Sequence, residues 1–69
     1  MYAEKISLVL VKRKMSKREL AEKLGISATN LYNQLKRDNF SEEMLLRIAD
    51  ILDCELESHF VLKDTGEKF

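Results

Sequence analysis

Sixty-nine residues suffice for one small domain with one core, because chains this short bury only about 60% of their unfolded surface. A content of 45% apolar and 35% charged residues, with two glycines and no proline, excludes a disordered tail or a collagen-like chain and points to helices. The zero net charge divides along the chain: nine basic against four acidic residues through Asn39 give +5, three against eight from Phe40 give −5, and the first part is the one suited to an anionic partner.

Ile6, Val9 and Leu10 recur at helical spacing and predict a first helix from about Ala3 to Arg13. Leu8 and Val11 make it apolar on more than one side, which reads as a helix enclosed by its neighbours rather than one offering a membrane or partner surface. Lys12-Arg13-Lys14 reads as a solvated loop, with contact to a neighbouring phosphate as the alternative. Three later points share one local pattern: Met15-Ser16 with Leu20, Ile26-Ser27 with Leu31, and Phe40-Ser41 with Leu45. Each is a helix start, with serine accepting from an orphan N–H of the first turn and the preceding apolar residue packing on the one five positions later. Glu19 adds a capping box to the first. The second helix then runs from about Lys17 to Leu24 and ends at Gly25, which can take the left-handed conformation. The third runs from about Ala28 to Arg37, with Lys36 and Arg37 at the negative end of its dipole, until Asp38-Asn39 breaks it. The fourth runs from Glu42 to about Leu52.

After Cys54 the period becomes alternating, with Leu56, Ser58, Phe60 and Leu62 on one face and Glu55, Glu57, His59, Val61 and Lys63 on the other, the pattern of a strand. Asp64-Thr65-Gly66 is turn chemistry, and Glu67 to Phe69 reads as a short returning strand or a frayed end. The fold class is therefore mostly α, four helices over residues 1–54 with a C-terminal strand or short hairpin over 55–69 packed on the same domain. One Cys and one His cannot make an internal disulfide or a four-ligand zinc site, so no metal or cofactor is expected. No apolar run approaches the roughly 20 residues of a membrane span, and the start Met-Tyr-Ala-Glu-Lys-Ile lacks signal-peptide order, so a cytoplasmic location is expected.

Only Gly25-Ile26-Ser27 separates the second and third helices, which forces a sharp angle between them. Ala21 is small enough for one helix to cross closely over the other, Gly25 makes the turn, and Leu20, Leu24, Ile26 and Leu31 fill the shared core. On these residues, with Asn30-Leu31 and Leu46-Arg47-Ile48-Ala49-Asp50-Ile51-Leu52, the chain from about residue 4 to 54 resembles the lambda-repressor-like family of Cro/cI or XRE-type helix-turn-helix proteins. The resemblance implies a domain that binds double-stranded operator DNA, usually as a homodimer, with the third helix in the major groove. Where family members close that helix with Glu and Gly, this chain has Lys36-Arg37-Asp38-Asn39, and the tail from Glu55 lies outside the shared pattern.

With residues about 100° apart around the third helix, Leu31, Leu35, Ser27 and Gln34 face the core while Lys36, Thr29, Asn33 and Arg37 face outward. In this docking mode Ala28, Thr29 and Asn33 are the candidate base readers, with Tyr32 and Asn30 nearby. Asn pairs with adenine and the Thr and Ala methyls suit the thymine methyl, so A·T-leaning half-sites are expected. Ser16, Lys17, Arg18 and Ser27 at helix N-termini, and Lys36, Arg37 and Asn39 beyond, are the candidate phosphate contacts. Two strand edges from twofold-related chains, around Leu56 to Leu62, would pair antiparallel as a dimer ribbon while Phe60 and Leu62 bury against the fourth helix. The competing reading folds the strand on Glu67 to Phe69 and leaves dimerisation to the fourth helix. The function expected is a regulator of transcription, a repressor located on the nucleoid; the alternative is an antitoxin or adaptor with a protein partner. No phosphate-cradling loop or nucleophile with its base is present, so enzymatic activity is not expected.

Overall fold

The computed structural model describes residues 1–57 and 59–69. Four helices, α1 (Tyr2–Arg13), α2 (Lys17–Leu24), α3 (Ala28–Arg37) and α4 (Glu42–Ile51), precede two short strands, β1 (Cys54–Leu56) and β2 (Phe60–Leu62). The serine caps set three of the four helix starts. Ser16, Ser27 and Ser41 each accept at Oγ from the backbone N–H three residues on, at 3.0, 3.0 and 3.1 Å. Glu19 Oε1 in turn accepts from the Ser16 N–H at 3.3 Å, which completes the capping box.

Helix ends are closed by residues in the left-handed region. Gly25 does so at φ 76°, and two residues that are not glycine, Lys14 (φ 55°) and Asp38 (φ 53°), do the same for α1 and α3. The Asp38 carboxylate also reaches the start of α1, accepting from the Ala3 N–H at 2.9 Å and pairing with the Met1 ammonium. One residue thus ends α3 and caps the positive end of α1.

A single apolar cluster joins all the elements, built on Ile6, Val9, Leu10, Leu20, Ala21, Leu24, Leu31, Leu45, Ile48, Ala49 and Leu52, and completed by Cys54, Phe60 and Leu62 from the strands. Two expectations for α1 are corrected. Its outer side is not enclosed: Leu8 is 48% and Val11 77% exposed, because the neighbours pack only against the face bearing Ile6, Val9 and Leu10. Arg13 is not solvated either. Its guanidinium donates from Nε to the Leu52 carbonyl (2.7 Å), from Nη2 to the Asp53 carbonyl (2.9 Å) and from Nη1 to Asp64 Oδ2 (2.9 Å). The hydrogen bond to Asp64 raises the Arg13 pKa and holds the Asp64 carboxylate below its usual range, while burial pushes the Cys54 thiol up.

The strand expected from Leu56 to Leu62 is a hairpin. The chain reverses between Leu56 and Phe60, and β1 pairs antiparallel with β2 in the register Cys54 with Leu62, Glu55 with Val61 and Leu56 with Phe60. Cross-strand partners share a face, so Leu56, Phe60 and Leu62 stay on one side, as alternation along one strand also requires; Ser58, assigned to that side, lies outside the described residues. The tail then returns along the other edge of β2. Phe60 and Phe69 exchange backbone bonds at 3.0 and 2.9 Å, and the Leu62 N–H donates to Glu67 at 2.9 Å. Tyr2 of α1 meets Phe60 edge-on with ring centroids 6.0 Å apart, and Lys12 pairs with Glu67 at 3.0 Å.

Candidate nucleic-acid interface

The mounting of α3 begins at the turn before it. The Gly25 N–H and the Ile26 N–H donate back to Glu22 and Ala21, both at 3.1 Å, and close α2 in one residue. A Cβ at Gly25 would meet nothing within 4 Å, so the positive φ alone calls for glycine there. Arg47 of α4 donates from Nη2 to the Leu24 carbonyl at 2.6 Å and so ties α2 to the far side of the core. Sequence reading did not assign this role to Arg47, since no spacing along one helix reports which carbonyl of another it will meet. Leu31, fully buried, anchors α3, with Ile26, Ala28 and Leu35 packed half-buried around it.

This anchoring decides what α3 presents. Thr29, Asn30 and Asn33 are exposed, as are Lys36 and Arg37 in the last turn and Asn39 beyond it. Ala28, expected among the base readers, spends part of its surface on the core. Tyr32 is half exposed, and the Lys17 ammonium stands 5.8 Å from its ring centroid, a cation–π contact from the first turn of α2 to the middle of α3. Asn30 is held twice: its N–H donates to Ser27 Oγ at 3.0 Å, and its side-chain oxygen accepts from Gln34 Nε2 at 3.2 Å. Ser16 and Ser27 both spend an acceptor site on their caps, which leaves each hydroxyl proton to donate outward. Arg18 is exposed beside Lys17 at the N-terminus of α2, where orphan N–H groups and positive charge together favour an anion.

The residues expected to support a dimer ribbon lie on the hairpin. Phe60 and Leu62 are core residues of the protomer, and both edges of β2 are occupied within the chain, by β1 and by the tail. Leu56 on β1 is half-buried. No helix among the described residues is long and apolar enough to cross a membrane, and no group of three His, Cys, Asp or Glu side chains among them is arranged for a metal ion.

The geometry is that of two capped helices at a glycine turn, the second offering a polar face between basic ends. A family model described as a Cro/C1-type HTH DNA-binding domain matches residues 5–60, most of the chain, and runs past Cys54 through β1 to the first residue of β2. No curated protein and no solved structure matches. With four helices, the helix-turn-helix of α2 and α3, and a match over that span, the chain belongs to the Cro/C1-type helix-turn-helix DNA-binding family.

Proposed function

We propose that the protein is a sequence-specific repressor of transcription that binds near-palindromic operators as a homodimer and works in the cytoplasm, on the nucleoid. The observation that carries this reading is the exposed row Thr29, Asn30 and Asn33 on a helix fixed from behind by Leu31 and capped by Ser27. In the major groove Asn33 pairs with adenine through its oxygen and its amino group, and the Thr29 methyl, with the open part of Ala28, lies against thymine methyls. Tyr32 flanks them. Ser16, Lys17, Arg18 and Ser27 at one end, and Lys36, Arg37 and Asn39 at the other, hold phosphates and set the register. Because no Arg or Lys precedes Lys36 on α3, contacted positions lean to A·T.

One protomer covers a single half-site, and a twofold axis supplies the second α3. With β2 enclosed, the sheet edge left for a second chain is that of β1, beside Leu56, and a ribbon dimer forms there with Phe60 and Leu62 supporting it from within. Repression follows from occupancy, since an operator covered by protein is closed to other proteins.

The test is selection of bound duplexes from a random pool, with wild type and Asn33→Ala in parallel. Convergence on a two-part near-palindrome, altered by the substitution at one position in each half, is the expected result. A single unpaired half-site would overturn the homodimer. Failure to converge would overturn sequence-specific reading and leave a protein partner as the ligand.

A further inference from the structure

Two asparagines of the same type lie on the outer side of α3, and the structure treats them differently. Asn33 is exposed and, among the described residues, its amide has no partner, so it keeps both an acceptor and a donor for DNA. Asn30 does not. Gln34, one turn further along α3, donates from Nε2 to Asn30 Oδ1 at 3.2 Å, and the Asn30 backbone is fixed by its bond to Ser27 Oγ at 3.0 Å.

We propose that Gln34 is a positioning residue that sets the hydrogen-bonding polarity Asn30 shows to DNA, and through it the base accepted at one position of each half-site. The inference rests on α3 being the helix that reads DNA. An asparagine amide is planar, with its oxygen and its amino group on opposite sides. Gln34 takes one of the two lone pairs of that oxygen and holds it to its own side, so the amino group is the side of the amide left for the groove. A donor presented there matches O6 and N7 of guanine or O4 of thymine; at adenine it finds N7 but stands beside a second amino donor, and at the amino edge of cytosine it finds no acceptor. The two-bond pairing with adenine needs the oxygen turned to the base as well. Asn30 therefore favours a keto base, guanine or thymine, on the strand it faces, whereas Asn33 selects adenine. Position also favours this role: Asn30 is the third residue of α3, in the turn that reaches base edges in this docking mode, and it is exposed while Gln34 behind it is half-buried.

The polarity is reversible by design, because the residue at 34 can be made a donor only or an acceptor only. Lysine at 34 can only donate, so Gln34→Lys keeps the Asn30 oxygen engaged and retains the wild-type base. Glutamate can only accept; Gln34→Glu draws in the amino group, turns the amide over and presents its oxygen. At the Asn30 position the preference then moves from a keto base to adenine or cytosine, by about tenfold relative to the other positions. Both substitutions change charge and so alter affinity for all sequences alike, which is why the readout is the base preference at one position and not affinity. Gln34→Met, close in volume and without polarity, releases Asn30 and broadens that position.

The experiment is selection from a random duplex pool with wild type, Gln34→Lys, Gln34→Glu, Gln34→Met and Asn30→Ala, each first shown to be folded by its thermal transition. Support is a single position per half-site that Asn30→Ala flattens, Gln34→Lys retains, and Gln34→Glu inverts or, if that variant is unfolded, Gln34→Met broadens. If Asn30→Ala flattens a position but Gln34→Glu and Gln34→Met leave it unchanged, Gln34 does not set the polarity. If Asn30→Ala changes no position, Asn30 does not read a base. Failure of the wild type to converge is a different result, and it overturns the DNA-reading role of α3 itself.

Discussion

Replacing Arg13 by methionine is expected to destabilise the protein by about 3 kcal/mol and to leave its choice of DNA unchanged. Methionine keeps an unbranched apolar stem and removes all three donors. Two of these reach the carbonyls of Leu52 and Asp53, just beyond the last turn of α4, at 2.7 and 2.9 Å. Bonds from a charged donor contribute about 1.5–3 kcal/mol each when shielded from water, and a cation here also faces the negative end of the α4 dipole. The Arg13 side chain is 18% exposed. The part-buried bond to Leu52 is therefore assigned about 2 kcal/mol and the more open one to Asp53 about 1 kcal/mol, with the surface bond to Asp64 left out of the sum. For a domain of this size the loss lowers the melting temperature by about 12–24 °C. Urea unfolding followed by far-ultraviolet circular dichroism measures it. Arg13→Lys restores at most one of the bonds, since an ammonium cannot fork across acceptors on two elements. A loss below about 1 kcal/mol for Arg13→Met would refute the strap, and a flattened salt dependence of DNA binding would show that Arg13 meets phosphate instead.

The same geometry yields further expectations. The Asp64 carboxylate is held low, chiefly by its bond to Arg13, so the pair contributes stability above the unfolded carboxylate pKa of about 3.9 and loses it as pH falls through the lower folded value. Asp64→Asn should accordingly melt below wild type at pH 7, with the gap closing on acidification below about pH 4; a gap independent of pH would disprove the linkage. Phe60→Ala removes a fully buried ring from a small core and should cost about 3–5 kcal/mol, much of the total for a chain of this length, so a variant that unfolds with nearly wild-type stability would make the hairpin an accessory. Lys14→Gly relieves a left-handed residue that is not glycine and should raise stability by about 0.5–1 kcal/mol, read from the urea midpoint. Arg37→Ala should weaken binding to all sequences alike and reduce the salt slope by about one; a changed consensus would move Arg37 from phosphate to base.

The helices were legible in the sequence because their signals are local. A serine, an apolar residue before it and an N–H three residues on lie within one turn, so the starts of α2, α3 and α4 follow from spacing alone. Leu31 and the outward row of α3 follow from helical period for the same reason. What spacing does not carry is the partner across space. Arg13 and Arg47 read as two more charges, yet their roles are set by carbonyls 39 and 23 residues away. Asp38 reads as a helix breaker, and nothing near it in sequence announces that it also caps α1. The hairpin was half hidden by parity: in an antiparallel pair Leu56 lies opposite Phe60 and Cys54 opposite Leu62, so the apolar alternation is the same whether the chain continues or turns back. Along α1, Leu8 and Val11 were assigned to the interior on hydrophobicity alone, and only the position of the neighbouring elements shows them open to solvent.

A net charge of zero is no obstacle to binding DNA, and it shapes how the binding is divided. Salt dependence counts the phosphates neutralised, not the charge of the whole protein. The proposed phosphate contacts lie on α2 and α3, in the part of the chain that carries +5, and the acidic residues that cancel it belong to α4, the hairpin and the tail. Asp38, the one carboxylate adjoining Lys36 and Arg37, has its charge engaged by the Ala3 N–H and the Met1 ammonium rather than left against them. The local field over α3 therefore remains positive while the field felt at a distance is weak. A weak distant field limits sequence-independent attraction and leaves more of the affinity to the base contacts proposed for Asn30, Asn33 and Thr29. Raising the charge of the acidic half by Glu67→Lys in the tail or Asp50→Lys on α4 should then strengthen binding to random duplex more than to the selected operator and lower the ratio between them. Equal strengthening of both would show that the acidic half has no part in specificity.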